Sequence, residues 1–125
     1  MEITFEDNGS PLKKSKNRHG ETCEEQLRSM CKTIAENITA GGGPDITKGA
    51  RSASEFMEDV YDIRYYVNGE KRYLGAELLV AGGGPTIWVN TYTKQVEGYW
   101  WGDKVLEPFS DELDLNGYCE EMYGC

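Results

Sequence analysis

Apolar and polar residues recur along this chain with two different periods, and the change of period divides it. From Thr22 to Thr39, apolar residues fall at Cys23, Leu27, Met30, Cys31, Ile34 and Ile38. That is the i, i+3, i+4, i+7 spacing of one buried stripe on an α-helix. Thr22 and Glu25 stand in the T-x-x-E arrangement of a capping box at its start. Glu25, Arg28, Lys32 and Glu36 take the opposite, solvated face, and Ala40 with the glycines after it ends the helix. A Gly/Pro/Ser-containing connection follows over 41–53. A short second helix is predicted over 54–60, capped by Ser54, with Phe56, Met57 and Val60 turned inward.

From Tyr61 the period is two. Tyr61, Ile63, Tyr65 and Val67 alternate with Asp62, Arg64 and Tyr66. Asn68-Gly69 then predicts a type I′ hairpin, whose two central residues both take positive φ. Tyr73–Ala81 is the return strand, with Leu74, Ala76, Leu78 and Val80 on one face, and a Gly-Gly-Gly-Pro loop leads to a third strand over 86–91. Thr93-Lys94-Gln95 form a turn, and a fourth strand runs from Val96 to Trp101, where Gly102-Asp103 breaks or bends it before Val105-Leu106. Ser110 is predicted to cap a last helix, with Asp111 and Glu112 in its first turn, where the helix dipole favours acids. Leu115, Tyr118, Cys119 and Met122 recur there at helical spacing. Gly117 weakens that helix by about 1 kcal/mol relative to Ala, and Gly124 stops it. The fold class is α+β: about four antiparallel strands packed by an N-terminal and a C-terminal helix. Residues 1–21 are polar, mixed in charge and punctuated by Gly and Pro, which predicts a weakly ordered segment. "EITF" near the start offers a short strand, and 22–125 form a single domain.

Composition sharpens this picture in one respect. Hydrophobic residues make up only 38% of the chain, so the eight Tyr, three Trp and three Phe must carry much of the burial, at roughly 150–250 Å² each. The net charge of −9 is unevenly placed. Residues 1–51 hold eight acids and eight bases, whereas residues 52–125 hold fourteen acids against five bases, the whole of the excess. Such a surface repels nucleic acid and anionic membrane and attracts basic partners. Acidity that only keeps the chain soluble is the plainer alternative.

Candidate chemistry is sparse. Cys23, Cys31, Cys119 and Cys125 include no CxxC pair, and His19 is the single histidine, which does not make a zinc site. The opening residues MEITFEDNG lack an apolar stretch, which predicts a cytoplasmic protein with reduced thiols, and no run is long enough to span a membrane. A Ser-His-Asp or Cys-His nucleophile would have to use His19, in the least ordered segment. Pairs of carboxylates can be drawn from Glu97, Asp103 and Glu107, but acids are too abundant for this to carry weight. "AGGGPDI" at 40–46 echoes "AGGGPTI" at 81–87, yet the flanks differ. Pro85 removes an amide and a strand follows the second copy, which argues against a phosphate loop. The expectation is a protein that is not an enzyme and has neither cofactor nor metal. On a strand, neighbouring side chains point to opposite faces, so Tyr99-Trp100-Trp101 cannot all be buried on one side. Trp and Tyr are favoured anchors of binding surfaces.

The block from Val60 to Tyr123 resembles a group of small acidic proteins of bacteriophages and mobile elements. The matching residues are Val60-Tyr61-Asp62-Ile63, Leu79-Val80-Ala81, Gly83-Gly84-Pro85-Thr86-Ile87-Trp88-Val89, Val96-Glu97-Gly98-Tyr99-Trp100-Trp101-Gly102-Asp103 and Cys119-Glu120-Glu121-Met122-Tyr123. The resemblance implies a counter-defence protein, an anti-CRISPR or anti-restriction inhibitor that acts by binding in the cytoplasm of a bacterial host, without catalytic residues. Joined to the charge, it suggests that an acidic body occupies a Lys/Arg-lined nucleic-acid channel of a CRISPR–Cas effector, with carboxylates in place of phosphates and no direct contact to nucleic acid. The expected partner-binding residues are the anchors Trp88, Tyr99, Trp100 and Trp101 and the acids Asp103, Glu107, Asp111, Glu112, Asp114, Glu120 and Glu121. The alternatives are a sequestering protein for a small molecule or nucleotide, and a generic protein-interaction module. An uncovered strand or aromatic face would also allow a homodimer.

Overall fold

The structure, a computed structural model, describes residues 22–41 and 50–124. The segment read as weakly ordered over 1–21 and most of the first Ala-Gly-Gly-Gly-Pro run lie outside the described residues.

Helix α1 (Cys23–Ala40) begins where the capping box places it. The Glu25 amide donates to Thr22 Oγ1 at 3.1 Å, and the Thr22 amide donates to Glu25 Oε1 at 2.8 Å. Two first-turn donors are thereby satisfied. Gly41 ends the helix in the left-handed region, φ 68°. The buried stripe is Leu27, Cys31, Ala35 and Ile38. Helix α2 (Ala53–Met57) is shorter than the sequence suggests, and its cap is Ser52 rather than Ser54. Ser52 Oγ accepts from the Glu55 amide at 3.1 Å, and Glu55 reaches back to the Arg51 amide at 2.6 Å. The amides of Glu58, Asp59 and Val60 then bond to carbonyls three residues back, which tightens the exit before the sheet.

Strands β1 (Asp62–Val67), β2 (Tyr73–Ala81), β3 (Thr86–Asn90), β4 (Gln95–Trp100) and β5 (Asp103–Pro108) form one antiparallel meander in sequence order. The strand beyond the expected four arises because Gly102-Asp103 marks a hairpin and not a bend. Trp100 pairs with Asp103, and Trp101 (φ 53°) and Gly102 (φ 84°) both sit in the left-handed region between them. That is the type I′ requirement. At Asn68-Gly69, where the sequence suggests this turn, the loop is longer. Asn68 Oδ1 accepts from the amides of Glu70 and Arg72 at 2.9 and 3.0 Å, and Lys71 takes the positive φ of 63°. Asn68 serves through its side chain, as Asx turns do.

Helix α3 (Leu115–Gly124) starts five residues after Ser110. Asp111, and not Ser110, meets its first amides: its carboxylate accepts from Leu115 at 2.8 Å and Asn116 at 2.9 Å. Asp114, at φ 58°, accepts from Gly117 at 3.2 Å. Ser110 is engaged elsewhere, its amide donating to Thr39 Oγ1 and its hydroxyl to Glu112.

Helix α1 lies across β4 and β5, and α3 lies against β2. Both cover the same side of the sheet, because Leu27, Cys31, Ile38, Leu115 and Cys119 share one core with Ala76, Leu78, Ile87, Val89, Val96 and Val105. The closest approach is at Gly98, where a Cβ would stand 2.5 Å from Cys31 Sγ and 2.9 Å from Leu27 Cδ1. Gly98→Ala should therefore lower the urea midpoint with the slope unchanged, by about 1–3 kcal/mol as overpacked cores lose. Adding Cys31→Ala should restore part of that loss, because it removes the nearer of the two clashing atoms.

Candidate partner-binding face

With both helices on one side, the alternate residues of every strand are left on the other. β4 shows the division: Val96, Gly98 and Trp100 turn toward the helices, and Glu97 and Tyr99 turn away. Antiparallel register then lines up the outward residues across strands. Arg64 stands opposite Glu77, and Glu77 opposite Asn90. Leu79 stands opposite Trp88, Trp88 opposite Glu97, and Glu97 opposite Leu106. Tyr99 lies between Thr86 and Lys104. Among the described residues no helix covers this face, on which aromatic rings and carboxylates are interleaved; Tyr66, Glu77, Trp88 and Glu97 are half-buried in it and Tyr99 is exposed.

Asn90 organises its centre. The side chain is 2% exposed and uses its whole hydrogen-bonding capacity. Oδ1 accepts from the amides of Tyr92 and Thr93, both at 2.9 Å, which holds the turn after β3. Nδ2 donates to Tyr66 OH at 3.0 Å and to Glu97 Oε2 at 3.2 Å. Tyr99 OH donates to the other Glu97 oxygen at 3.4 Å. Glu77 reaches the same centre from β2 and lies against both Tyr66 and Glu97. Partial burial, and then the Glu77 carboxyl, raise the pKa of Glu97 above the usual carboxylate range, while the Asn90 amide opposes the shift. Tyr66 and Tyr99 are raised as well, first by burial and then by the neighbouring glutamates.

Two cations from the flanking strands sit on the rings. The Arg64 guanidinium carbon lies 4.6 Å from the Trp88 centroid, and Lys104 Nζ lies 5.7 Å from that of Tyr99. Both cations belong to exposed residues, where such contacts are worth about 0.5–1 kcal/mol each. Tyr92 is stacked near Tyr66 at 5.7 Å between centroids and is 55% exposed, and Trp101 stands out from the β4–β5 turn at 81%.

The residues expected at a partner surface divide between the two sides. Trp88 and Tyr99 are on the bare face, and Trp101 is at its edge. Trp100 points the other way and packs partly against the core. Asp103 is half-buried at the start of β5. Glu107 is on the helix side, bonded to Arg28 Nη1 at 3.0 Å. Asp111 and Asp114 are spent on capping α3, and Glu112 accepts from the Ser110 hydroxyl. Glu120 and Glu121 are exposed on α3. The acidic set therefore does not gather into one surface with the aromatic anchors. The carboxylates that do join the rings are Glu77 and Glu97. Glu97 and Glu107 cannot form the pair that the sequence offers, because Glu107 stands opposite Val96 and turns to the helices. Arg64, Glu77 and Glu97 are each the polar member of an alternating strand. That signal could have placed them on a common face, although not in register.

Comparison with known proteins finds no matching family model, no matching curated protein and no matching solved structure.

Other chemistry is thin among the described residues. Burial pushes the Cys31 and Cys119 thiols up to about 11, which keeps them protonated and poor nucleophiles. His19 and Cys125 lie outside the described residues. Among the described residues, no group of three or more His, Cys, Asp and Glu is placed to hold a metal, and no helix is long and apolar enough to cross a membrane. A cleft of about 370 Å³ opens between α1, α2 and β2, walled by Ile34, Ala50, Phe56 and Val80. Glu55 and Asp59 on its rim oppose a phosphate. Gly82, Gly83 and Gly84 are exposed in the β2–β3 hairpin loop, and none of them lines the cleft.

The raised pKa of Glu97 has a consequence for stability. A folded state that holds its proton more tightly than the unfolded chain loses stability as pH rises from the unfolded value, near 4.5, through the folded one. Glu97→Gln can keep the bond from Asn90 and removes that loss. It should be more stable than the parent at pH 7 and equal to it below pH 4.5. Urea titrations between pH 4 and 7 check this, with Glu120→Gln as the control for net charge.

Proposed function

We propose that the protein is a non-catalytic inhibitor that binds a nucleic-acid-handling effector of a bacterial defence system, with a CRISPR–Cas complex as the first candidate. It covers a basic surface of that effector with the bare face of its sheet. The observation that carries this reading is the sheet face that no described helix covers, on which Tyr66, Trp88 and Tyr99 are interleaved with Glu77 and Glu97. Rings of this kind supply large contact area at low entropic cost, and carboxylates beside them select basic partners. The charge points the same way. All of the net −9 lies in residues 52–125, which repels nucleic acid and speeds encounter with Lys/Arg-lined channels. The resemblance of Val60–Tyr123 to phage and mobile-element proteins supports a counter-defence role and a bacterial cytoplasm as its setting. The sheet face, rather than the acids near the C-terminus, makes the contact, because Glu107, Asp111 and Asp114 are engaged within the fold.

The test is capture of effectors from a bacterial lysate containing CRISPR and restriction systems, followed by cleavage assays with the captured complex. The parent protein should retain a stoichiometric nucleic-acid-processing partner, suppress its activity and release it as salt rises. Trp88→Ala with Tyr99→Ala should weaken the complex by about 30-fold or more, the loss expected where anchors worth about 2 kcal/mol are removed. Glu120→Lys with Glu121→Lys should leave most of the affinity. The reverse pattern would move the binding surface to α3, and a partner bound without loss of its activity would refute inhibition.

A further inference from the structure

We infer that the partner group this face recognises is the arginine guanidinium, in preference to the lysine ammonium. The inference rests on the proposed role as a partner-binding protein and names the chemistry of the same face. The structure already shows what the face accepts. Arg64 lays its guanidinium over Trp88 at 4.6 Å, whereas Lys104 stays 5.7 Å from the Tyr99 centroid. Arg64 reaches Trp88 from β1, two strands away, and Lys104 reaches Tyr99 from the adjacent β5; both residues are exposed, so each can leave its ring to an incoming group. Glu97 stands opposite Trp88 on the same face as Tyr99, and Glu77 on β2, opposite Asn90, comes against Glu97 from the other side of β3. A planar guanidinium offers five donors in a fixed fork. It can bridge two carboxylates and stack on an indole at once, which a single ammonium cannot do. The site is set in advance, because Asn90 is buried and locks both Tyr66 and Glu97 by hydrogen bonds.

Charge decides between occupants. A second copy of this chain would bring another −9 against the first. Its own face would also present the same two carboxylates. An anionic partner meets the same obstacle. A basic protein surface rich in arginine meets none, and such surfaces are what line nucleic-acid channels.

Full-length protein titrated with nona-arginine and, separately, nona-lysine tests this, because the two peptides carry equal charge. The overall acidity attracts both alike, so the ratio of their affinities reports the face. Nona-arginine should bind at least tenfold more tightly and shift the indole resonance of Trp88. Glu77→Gln with Glu97→Gln keeps the side-chain shape and should bring the ratio near one, whereas Glu120→Gln with Glu121→Gln, an equal change of charge on α3, should leave it intact. Equal affinities, or a preference that survives the first double variant, would overturn the inference. The two readings fail separately. An effector captured through Trp88 and Tyr99 without arginine preference would sink this inference alone. Arginine preference at the face in a protein that inhibits no effector would sink the functional reading and leave the chemistry standing.

Discussion

The contact between α1 and Gly98 sets the rest of the molecule. Leu27 and Cys31 sit so close to the backbone of β4 that no side chain fits between them. The helix can therefore lie flat across β4 and β5. It buries Val96 and Val105 as well as its own stripe, at about 1.5–3 kcal/mol for each large aliphatic side chain. With α3 placed on β2 of the same side, the core is a single layer between helices and sheet. Among the described residues, this two-layer arrangement leaves the second side of the sheet without a helix on it. Aromatic rings, carboxylates and two cations collect on that side.

A bare sheet face is usually polar, and this one is not uniformly so. Trp88, Tyr66 and Tyr99 are set among Arg64, Glu77, Glu97 and Lys104, and a buried asparagine holds the centre in place. The cost of burying the Asn90 amide is met by four hydrogen bonds, two of them to backbone. A side chain that ties a turn, a tyrosine and a glutamate together gives a surface few ways to rearrange. Partners then bind a shape already present, which lowers the ordering cost of association. Burial and the nearby Glu77 carboxyl raise the Glu97 pKa, and the Asn90 amide and the Lys104 ammonium oppose them.

The sequence carried much of this. The capping box and the stripe on α1, the change to period two, the antiparallel sheet and the helices near both ends are local or periodic signals, and each survives in the structure. The departures are also local in origin. Asn68-Gly69 and Trp101-Gly102 both offer a residue pair for a two-residue hairpin, and only the second uses it, because the Asn68 side chain captures two amides of its own loop. Ser110 is an acceptable helix cap in sequence, but α3 starts at Leu115, where the Asp111 carboxylate reaches the first two amides and Asp114 accepts from Gly117. Ser52 and Ser54 present the same ambiguity at α2, and Glu55 three residues after Ser52 decides it.

What the sequence by itself determined is the α+β class, the identity of every element but β5, and the placement of the excess acid after residue 51. It could also say that Trp100 and Tyr99 face opposite ways, since alternation is a property of any strand. Only the tertiary structure decided which carboxylates accompany the rings. Glu77, Asn90 and Glu97 come from three strands, and their meeting depends on register, which is fixed by hairpin lengths and bulges and not by composition. The acids near the C-terminus look like a cluster along the chain. In space several are spent on a helix cap and an ion pair, because a carboxylate near unsatisfied amides or a guanidinium is drawn to them.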